Sequence, residues 1–425
     1  GFMSKIVVIG AGSAMVGLGA LGDIFKNNAL EGSTISLVDI NPDTLSEVAK
    51  TATDYIAEHR LHYSIEATTD RKEALKGANY VIISIEVGNR YELWEQDWHI
   101  PQQFGIKQVY GENGGPGGVF HALRIIPPIL DICADVDRIC PEALVINLSN
   151  PMTTITMAIL KKFPQMKLIG LCHEISSLVI HLPKMLHTSF DQLQIRAGGL
   201  NHFSIMLEAT YRDSGKDAYP EIRKLVPEYF GKTSERGLFM KLFEYFGYVP
   251  ITTDSHLGEY VTWAQEVADH KGIIDFYTGY KQECLSYVVN PQKRIAEGTQ
   301  PEEYWRVIPI IAGIETNDKH EELAVNLQNN GLIANLPDHV VVEVPAYVDQ
   351  HGVHGMQIDM PAGFGALLSN RVGVLDMTVE AVLTGSRKAA LQALLVDPIV
   401  DSVTAAEKTL DTILGFQSKY LGYLK

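Results

Sequence analysis

Two stretches of this chain carry residue types that can do chemistry together: Leu171-Cys172-His173-Glu174 and Gly199-Leu200-Asn201-His202-Phe203. A thiolate and an imidazole are good ligands for a divalent transition metal, and such ligands often come from separate strand ends. Cys172 follows the apolar run Leu168-Ile169-Gly170, which reads as a buried strand about sixth in a sheet. Taken singly, each residue has a plainer reading, a buried structural thiol for Cys172 and a satisfied core histidine for His202. A third stretch, Thr252-Thr253-Asp254-Ser255-His256-Leu257-Gly258-Glu259-Tyr260, packs four ionisable groups into an apolar neighbourhood. It reads as an active-site loop running into a helix. A metal ion beside Asp254 or Tyr260 would favour the anion, and Asp254 and Ser255 also suit a helix cap.

The elements that must position these groups begin at the N-terminus. In Lys5-Ile6-Val7-Val8-Ile9 the β-branched run after Lys5 is continuous, as expected of a parallel strand buried on both faces. It enters Gly10-Ala11-Gly12-Ser13-Ala14, and a helical pattern follows through Leu18, Leu21, Ile24 and Phe25. In a strand–turn–helix context Gly10 permits the turn and Gly12 lets a pyrophosphate approach. The amides at the helix start, Ser13 included, carry its charge. Met15 stands where a third glycine is usual. The second strand, Thr34-Ile35-Ser36-Leu37-Val38, ends in Asp39. An acid there accepts both ribose hydroxyls of an adenosine and repels a 2′-phosphate, which favours NAD over NADP. The plainer reading is that Asp39 caps the Asn41-Pro42 turn.

Tyr80–Ile85 is another buried strand, and Gly111–Gly118 holds five glycines in eight residues. That composition reads as a loop leading into a helix through Ala122, Leu123, Ile126 and Leu130, either holding hydroxyls or an anion on its amides or turning at the surface. Val145-Ile146-Asn147-Leu148 then gives Ser149-Asn150-Pro151. A turn at the carboxyl end of a parallel strand faces the ligand crevice, which places Asn150 at the nicotinamide ribose or the substrate. Shaping the turn is its other reading. The pattern is α/β, with an N-terminal Rossmann-type parallel sheet over residues 3–198 and a mixed α/β domain for substrate and oligomerisation over 199–425.

Composition narrows the partners. The 425 residues are 46% hydrophobic and 20% charged, with 35 basic against 51 acidic residues and a net charge of −16. That balance argues against nucleic acid or an anionic membrane as the main partner. Four cysteines in this length make no disulfide framework, so a reducing cytoplasm is expected. No apolar run is long enough to span a bilayer, and no signal-peptide pattern precedes the first strand.

The motifs converge on one resemblance. At Gly10-Ala11-Gly12-Ser13, Asp39, Gly115-Pro116-Gly117-Gly118 with Arg124, Asn150-Pro151-Met152, Cys172-His173, Gly199-Leu200-Asn201-His202 and Val342-Glu343-Val344-Pro345, the chain resembles the family 4 glycoside hydrolases. The resemblance covers nearly the whole chain and implies a lactate/malate dehydrogenase-like fold. It implies NAD and a divalent metal, manganese by the family's habit, with Cys172 and His202 as ligands. Asn150, Asn201, Glu174 and His256 would contact the sugar. Tyr260, or else Asp254, would be the base at C2 and His173 the acid at the leaving oxygen. The implied reaction oxidises C3, eliminates the glycosidic oxygen, adds water and returns the hydride, a route apart from two-carboxylate hydrolysis. Members acting on 6-phosphosugars have Cys-Asp where this chain has Cys172-His173. The expected substrate is therefore an unphosphorylated α-glucoside, α-galactoside or α-galacturonide, and Glu174 leans towards the last. A homodimer or homotetramer is expected from the family.

In the C-terminal half, helices are expected around 235–246 and 379–395 and an amphipathic one over 405–421. Strands are expected over 323–327 and 340–345. His351 and His354 suit a sugar pocket, a subunit contact or a solvated loop. Two other functions use the same fold. A 2-hydroxyacid dehydrogenase needs a His–Asp pair, a carboxylate-binding arginine and no metal. A non-catalytic NAD sensor needs only the dinucleotide site.

Overall fold

The computed structural model describes residues 4–425; Gly1, Phe2 and Met3, where the expected first domain starts, lie outside the described residues. The strands are β1 Lys5–Ile9, β2 Thr34–Val38, β3 Ser64–Thr68, β4 Tyr80–Ile83, β5 Leu144–Asn147 and β6 Lys167–Gly170. They continue as β7 Leu193–Leu200, β8 Phe203–Tyr211, β9 Val249–Pro250, β10 His320–Gln328, β11 Val341–Asp349 and β12 Gly352–Gly355. All pair in one sheet of order β3-β2-β1-β4-β5-β6-β10-β11-β7-β8-β9, with β12 on β11. The first six strands run parallel, and the remainder pair antiparallel.

Burial on both faces explains the unbroken apolar runs. Side chains alternate across a strand, so Ile6 and Val8 enter one core with Leu18, Leu21 and Ile24 of the helix Ala14–Phe25. Val7 and Ile9 enter the other with Phe120, Leu123 and Ile126 of the helix Gly115–Ile139. The glycine turn is tight. Gly10 has φ +97°, and a Cβ there would fall 1.8 Å from the Ser84 carbonyl oxygen. The close-approach role that Met15 cannot fill falls to Gly17, whose Cβ would lie 2.2 Å from the Ala11 carbonyl oxygen.

The expected boundary at 198/199 does not interrupt the sheet. It falls inside β7, and β10 and β11 of the second half sit in the same sheet as β6 of the first. The helix Val307–Thr316 also packs into the core of β1 and β2. Two local expectations change as well. The helix expected over 379–395 is two, Val372–Thr384 and Arg387–Leu395, parted at Gly385 with φ +65° and restarted by the Ser386 cap. The glycine-rich segment is not a surface turn, and the anion its amides hold is a side chain of the protein itself. Residues 113–118 are buried, and the helix starts at Gly115. The amides of Glu112 and Asn113 are taken by the Glu259 carboxylate. The strands expected in the second half are β10 and β11. Among the described residues no helix is long and apolar enough to cross a membrane.

The antiparallel insertion shapes the site. Gly170 pairs with Asn326, Asn326 with Glu343, and Glu343 with Gly199. This row crosses from β6 to β7. Neighbouring strands stand about 4.8 Å apart, so a flat sheet would keep the ends of that row far from contact. The chain leaving β6 nevertheless meets the β7–β8 turn, through Cys172 and His202.

Candidate active site

His202 occupies the β7–β8 turn at φ +65°, a conformation uncommon outside glycine. Its Nε2 lies 3.4 Å from Cys172 Sγ and 3.5 Å from a Glu174 carboxylate oxygen. The three donor atoms all stand within 4.8 Å of one another. Donors bound at about 2.0–2.3 Å to one ion stand roughly 3.0–3.8 Å apart, so a single divalent ion fits among them. Burial pushes the His202 imidazole well down, with His256 and His173 adding to it. The ring is thus neutral, as a ligand must be. Burial, with Glu174 and Glu343, pushes the Cys172 thiol well up. A cation among the three would reverse that shift. Glu174, expected against the sugar, is a third donor beside the pair.

His256 stacks on His202 with centroids 4.4 Å apart. Burial lowers its pKa, but the hydrogen bond to Glu259 and the charges of Glu174 and Glu112 win and raise it to about 10. Its ring lines the cleft. Asn201, expected against the sugar, lines the small hollow that also holds Asn113 and Tyr260. Its side chain is buried and donates to Glu343 at 2.8 Å, and Glu343 also accepts from Asn326 at 3.0 Å. Burial raises the Glu343 carboxyl to about 7. This Asn201–Glu343–Asn326 group ties the β7–β8 turn to β10 and β11. Glu343 was visible only as part of a motif, with no residue-level signal for its role.

The two candidate bases separate clearly. Asp254 is fully buried and accepts from the backbone N–H groups of Leu238, Phe239 and Asp269 at 3.0, 2.8 and 2.8 Å. It caps the helix Gly237–Phe246 from a distance and does not face the cleft, because its lone pairs are already committed. Tyr260 stacks on Phe203 at 5.0 Å beneath the Arg371 guanidinium. It lines a small hollow with Asn113, Gly114 and Asn201. Any side chain at Gly114 would strike its ring, with a Cβ 2.3 Å away. That close approach is what the glycine run provides.

Cys172, His173, Glu174, His202, His256 and Asn150 line one cleft of about 240 Å³. The buried Oδ1 of Asn150 has no protein partner. Sequence reasoning missed the opposite wall. Arg90 donates to Tyr280 at 3.0 Å, and Glu112, Asn113, Tyr304, Trp305 and Arg306 complete the lining. A carboxylate inside the glycine run, Glu112, was the available signal. At the far end of the sheet the Asp39 carboxylate accepts from Gly12 N at 2.8 Å and from Asn41 N at 2.9 Å. It therefore both closes the glycine turn and caps the next. Ser13 is exposed there, and Ile40, next to Asp39 in the chain, is 95% exposed, an apolar surface open to a flat ring. His351 and His354 lie at the β11–β12 turn, and His354 is paired with Asp349 at 2.9 Å, outside the cleft lining.

Fold and site together define an enzyme built on a dehydrogenase-like sheet, with a sulphur–nitrogen–oxygen donor set at its strand ends. Residues 5–188 match the Family 4 glycosyl hydrolase model, and residues 197–400 match the Family 4 glycosyl hydrolase C-terminal domain. The chain belongs to glycosyl hydrolase family 4. It is 49% identical to an α-glucosidase of Erwinia rhapontici, with 99% of this chain and all of that protein covered. It is 31% identical to an α-galactosidase of Bacillus subtilis, with 97% and 96% covered. A 6-phospho-α-glucosidase from gut microorganisms, solved in complex with NAD and Mn2+, superposes with a TM-score of 0.83 at 20% identity over the full length of both chains. A malate dehydrogenase of Plasmodium falciparum superposes with a TM-score of 0.53 at 13% identity over 90% of this chain and 99% of that chain.

Proposed function

We propose that the chain hydrolyses unphosphorylated α-glucosides with NAD and a divalent ion, manganese in the first instance. The carrying observation is the Cys172–His202–Glu174 donor set in the same cleft as the unpartnered Asn150 oxygen. The cleft's cations support a neutral sugar. Arg306 is bound on two nitrogens by Glu322 at 2.8 Å each, and Arg90 feels Glu112 and Glu86. A 6-phosphate or a C6 carboxylate would need cations not already balanced. For that reason, and because the 49% relative is an α-glucosidase, the lean towards galacturonides is not followed. The dehydrogenase reading gives way for the same reason, since it needs an arginine free for a carboxylate.

Cys172, His202 and Glu174 would hold the ion, and Gly10, Gly12, Ser13, Asp39 and Asn150 the dinucleotide. When bound, NAD supplies a hydride acceptor for the sugar C3, and the ion supplies a Lewis acid for its C2 and C3 oxygens. Tyr260 takes the C2 proton as its phenolate, after its own proton has passed to solvent, with the Arg371 guanidinium beside it favouring the anion. Burial and Glu259 push its phenol well up, and Arg371 pulls it back. His173, exposed in the cleft, gives a proton to the departing glycosidic oxygen. The buried Asn201–Glu343–Asn326 group keeps Cys172 facing His202.

Hydrolysis of p-nitrophenyl α-glucoside is expected to stop after dialysis against a chelator and to return only with both NAD and manganese. C2-deuterated substrate is expected to release its label to solvent. Full retention of deuterium, or activity that survives chelation, excludes this chemistry. Asp39→Ala is expected to raise the Kd for NAD roughly 10- to 100-fold, with a much smaller change in the KM for sugar. Equal changes in both would leave Asp39 as a turn residue only.

A further inference from the structure

Three donor atoms from separate loops need a frame that keeps them in register. A ligating imidazole almost always donates its second N–H to a carboxylate, a carbonyl or water. In His202 that second nitrogen, Nδ1, is buried and has no partner among the described residues. What meets the ring instead is the face of His256, 4.4 Å away and 8° from parallel. We infer that His256 and Glu259 are positioning residues for the ion. Glu259 fixes the His256 ring, and that ring holds His202 and Glu174 as one divalent ion requires. The inference rests on the donor-set reading of the proposed function and adds what keeps the donors in place.

The contacts run outward from the core. Glu259 is fully buried. One of its carboxylate oxygens accepts from the Glu112 and Asn113 amides at 2.5 and 2.8 Å. The other lies 3.2 Å from His256 Nδ1. His256 Nε2 faces Glu174 Oε1 at 3.6 Å. The same oxygen lies 3.5 Å from His202 Nε2, so it sits at the shared edge of the two stacked rings. Tyr110, also fully buried, makes a T-shaped contact with the His256 ring. A ring held by a carboxylate at one nitrogen and packed against two other rings keeps its second nitrogen on one heading.

The backbone places both residues. Asp254 collects three main-chain amides and so anchors the short helix Asp254–Leu257. A turn follows, in which Glu259 N donates to the His256 carbonyl at 3.1 Å. That turn brings the Glu259 carboxylate back beside the His256 ring. From the start of the same segment Thr252 Oγ1 donates to the His202 carbonyl at 3.1 Å. One segment therefore holds both the main chain and the ring of His202. With 13% of its side chain exposed, His256 offers little surface to a sugar, the contact its residue type suggested.

The test titrates manganese by calorimetry into the full-length, metal-free protein, with NAD titrated separately. His256→Phe keeps a flat ring on His202 and loses both nitrogens. Its manganese Kd is expected to rise roughly 10- to 100-fold, with NAD affinity unchanged. His256→Ala, which loses the stack as well, should bind more weakly still. Glu259→Gln is expected to shift the Kd in the same direction. Combined with His256→Phe, it should add little, because the two residues act through one chain of contacts. Cobalt(II) in place of manganese should show altered absorption bands in each variant, since the ligand geometry changes. A manganese Kd in His256→Phe within about twofold of the wild type, with the cobalt spectrum unchanged, overturns the inference. Losses that multiply in the double variant overturn the chain from Glu259 to His256. A raised KM for sugar at unchanged ion affinity returns His256 to the sugar and overturns the inference as well. A wild-type protein that binds neither ion overturns the donor-set reading itself, and this inference with it. Thermal melts separate lost folding from lost ion binding, and if Glu259→Gln does not fold, the His256 variants decide alone.

Discussion

Cys172→Ser is expected to reduce manganese-dependent hydrolysis of p-nitrophenyl α-glucoside by roughly a thousandfold. Changing even an outer partner of a metal ligand costs about 10- to 100-fold, and here a ligand itself is lost. The hydroxyl of serine is smaller than a thiol and is not deprotonated by a nearby ion as readily. The substitution leaves Glu174 and His202 3.5 Å apart, so residual ion binding is expected at much higher manganese concentration. Calorimetric titration with manganese should show the weakening directly. The NAD affinity should hold, since Gly10, Gly12 and Asp39 lie on other strands. Undiminished activity with unchanged manganese affinity would remove Cys172 from the ion and dissolve the proposed site.

What the sequence made legible followed from local rules. The parallel strands announce themselves because both faces are buried, so positions 6–9 and 80–83 carry bulky, mostly apolar side chains. Gly10 and Gly12 are readable because only glycine fits beside the Ser84 carbonyl and the Asp39 carboxylate. Cys172 and His202 could be paired only through the family resemblance, because what joins them is the long-range row through Gly170, Asn326, Glu343 and Gly199. Nothing in the periodicity of 320–328 or 341–349 says that these strands insert between β6 and β7. The same blindness hid the bond from Asn201 to Glu343, 142 positions away. It also hid Tyr304 to Arg306, where the turn depends on one residue's left-handed backbone. Composition could see four ionisable groups in 254–260. It could not see that Asp254 points down into backbone amides while Tyr260 points across to Phe203 and Arg371.

That difference makes the second large effect one of stability. Asp254→Asn is expected to cost roughly 3–5 kcal/mol of folding free energy. The carboxylate has two oxygens for three backbone N–H donors. An amide offers one oxygen and turns an N–H group against at least one of those donors. Arg236 adds to the cost. Its Nε and Nη1 are buried without hydrogen-bond partners, and Asp254 is one of the negative charges that offset it. The variant should melt several degrees lower and still turn over substrate below that transition, with a pH–rate profile like that of the wild type. Tyr260→Phe should do the reverse, keeping the melting temperature within a few degrees while kcat falls roughly 10²- to 10⁴-fold, the usual loss for a general base. Deuterium release from C2 should vanish with it. If Asp254→Asn instead melted like the wild type and lost its turnover, the base would be Asp254 and the burial argument would be wrong. The two substitutions therefore decide by thermal melting and label exchange a question that residue type alone left open, because a carboxylate can accept a proton only where its lone pairs are not already spent on amides.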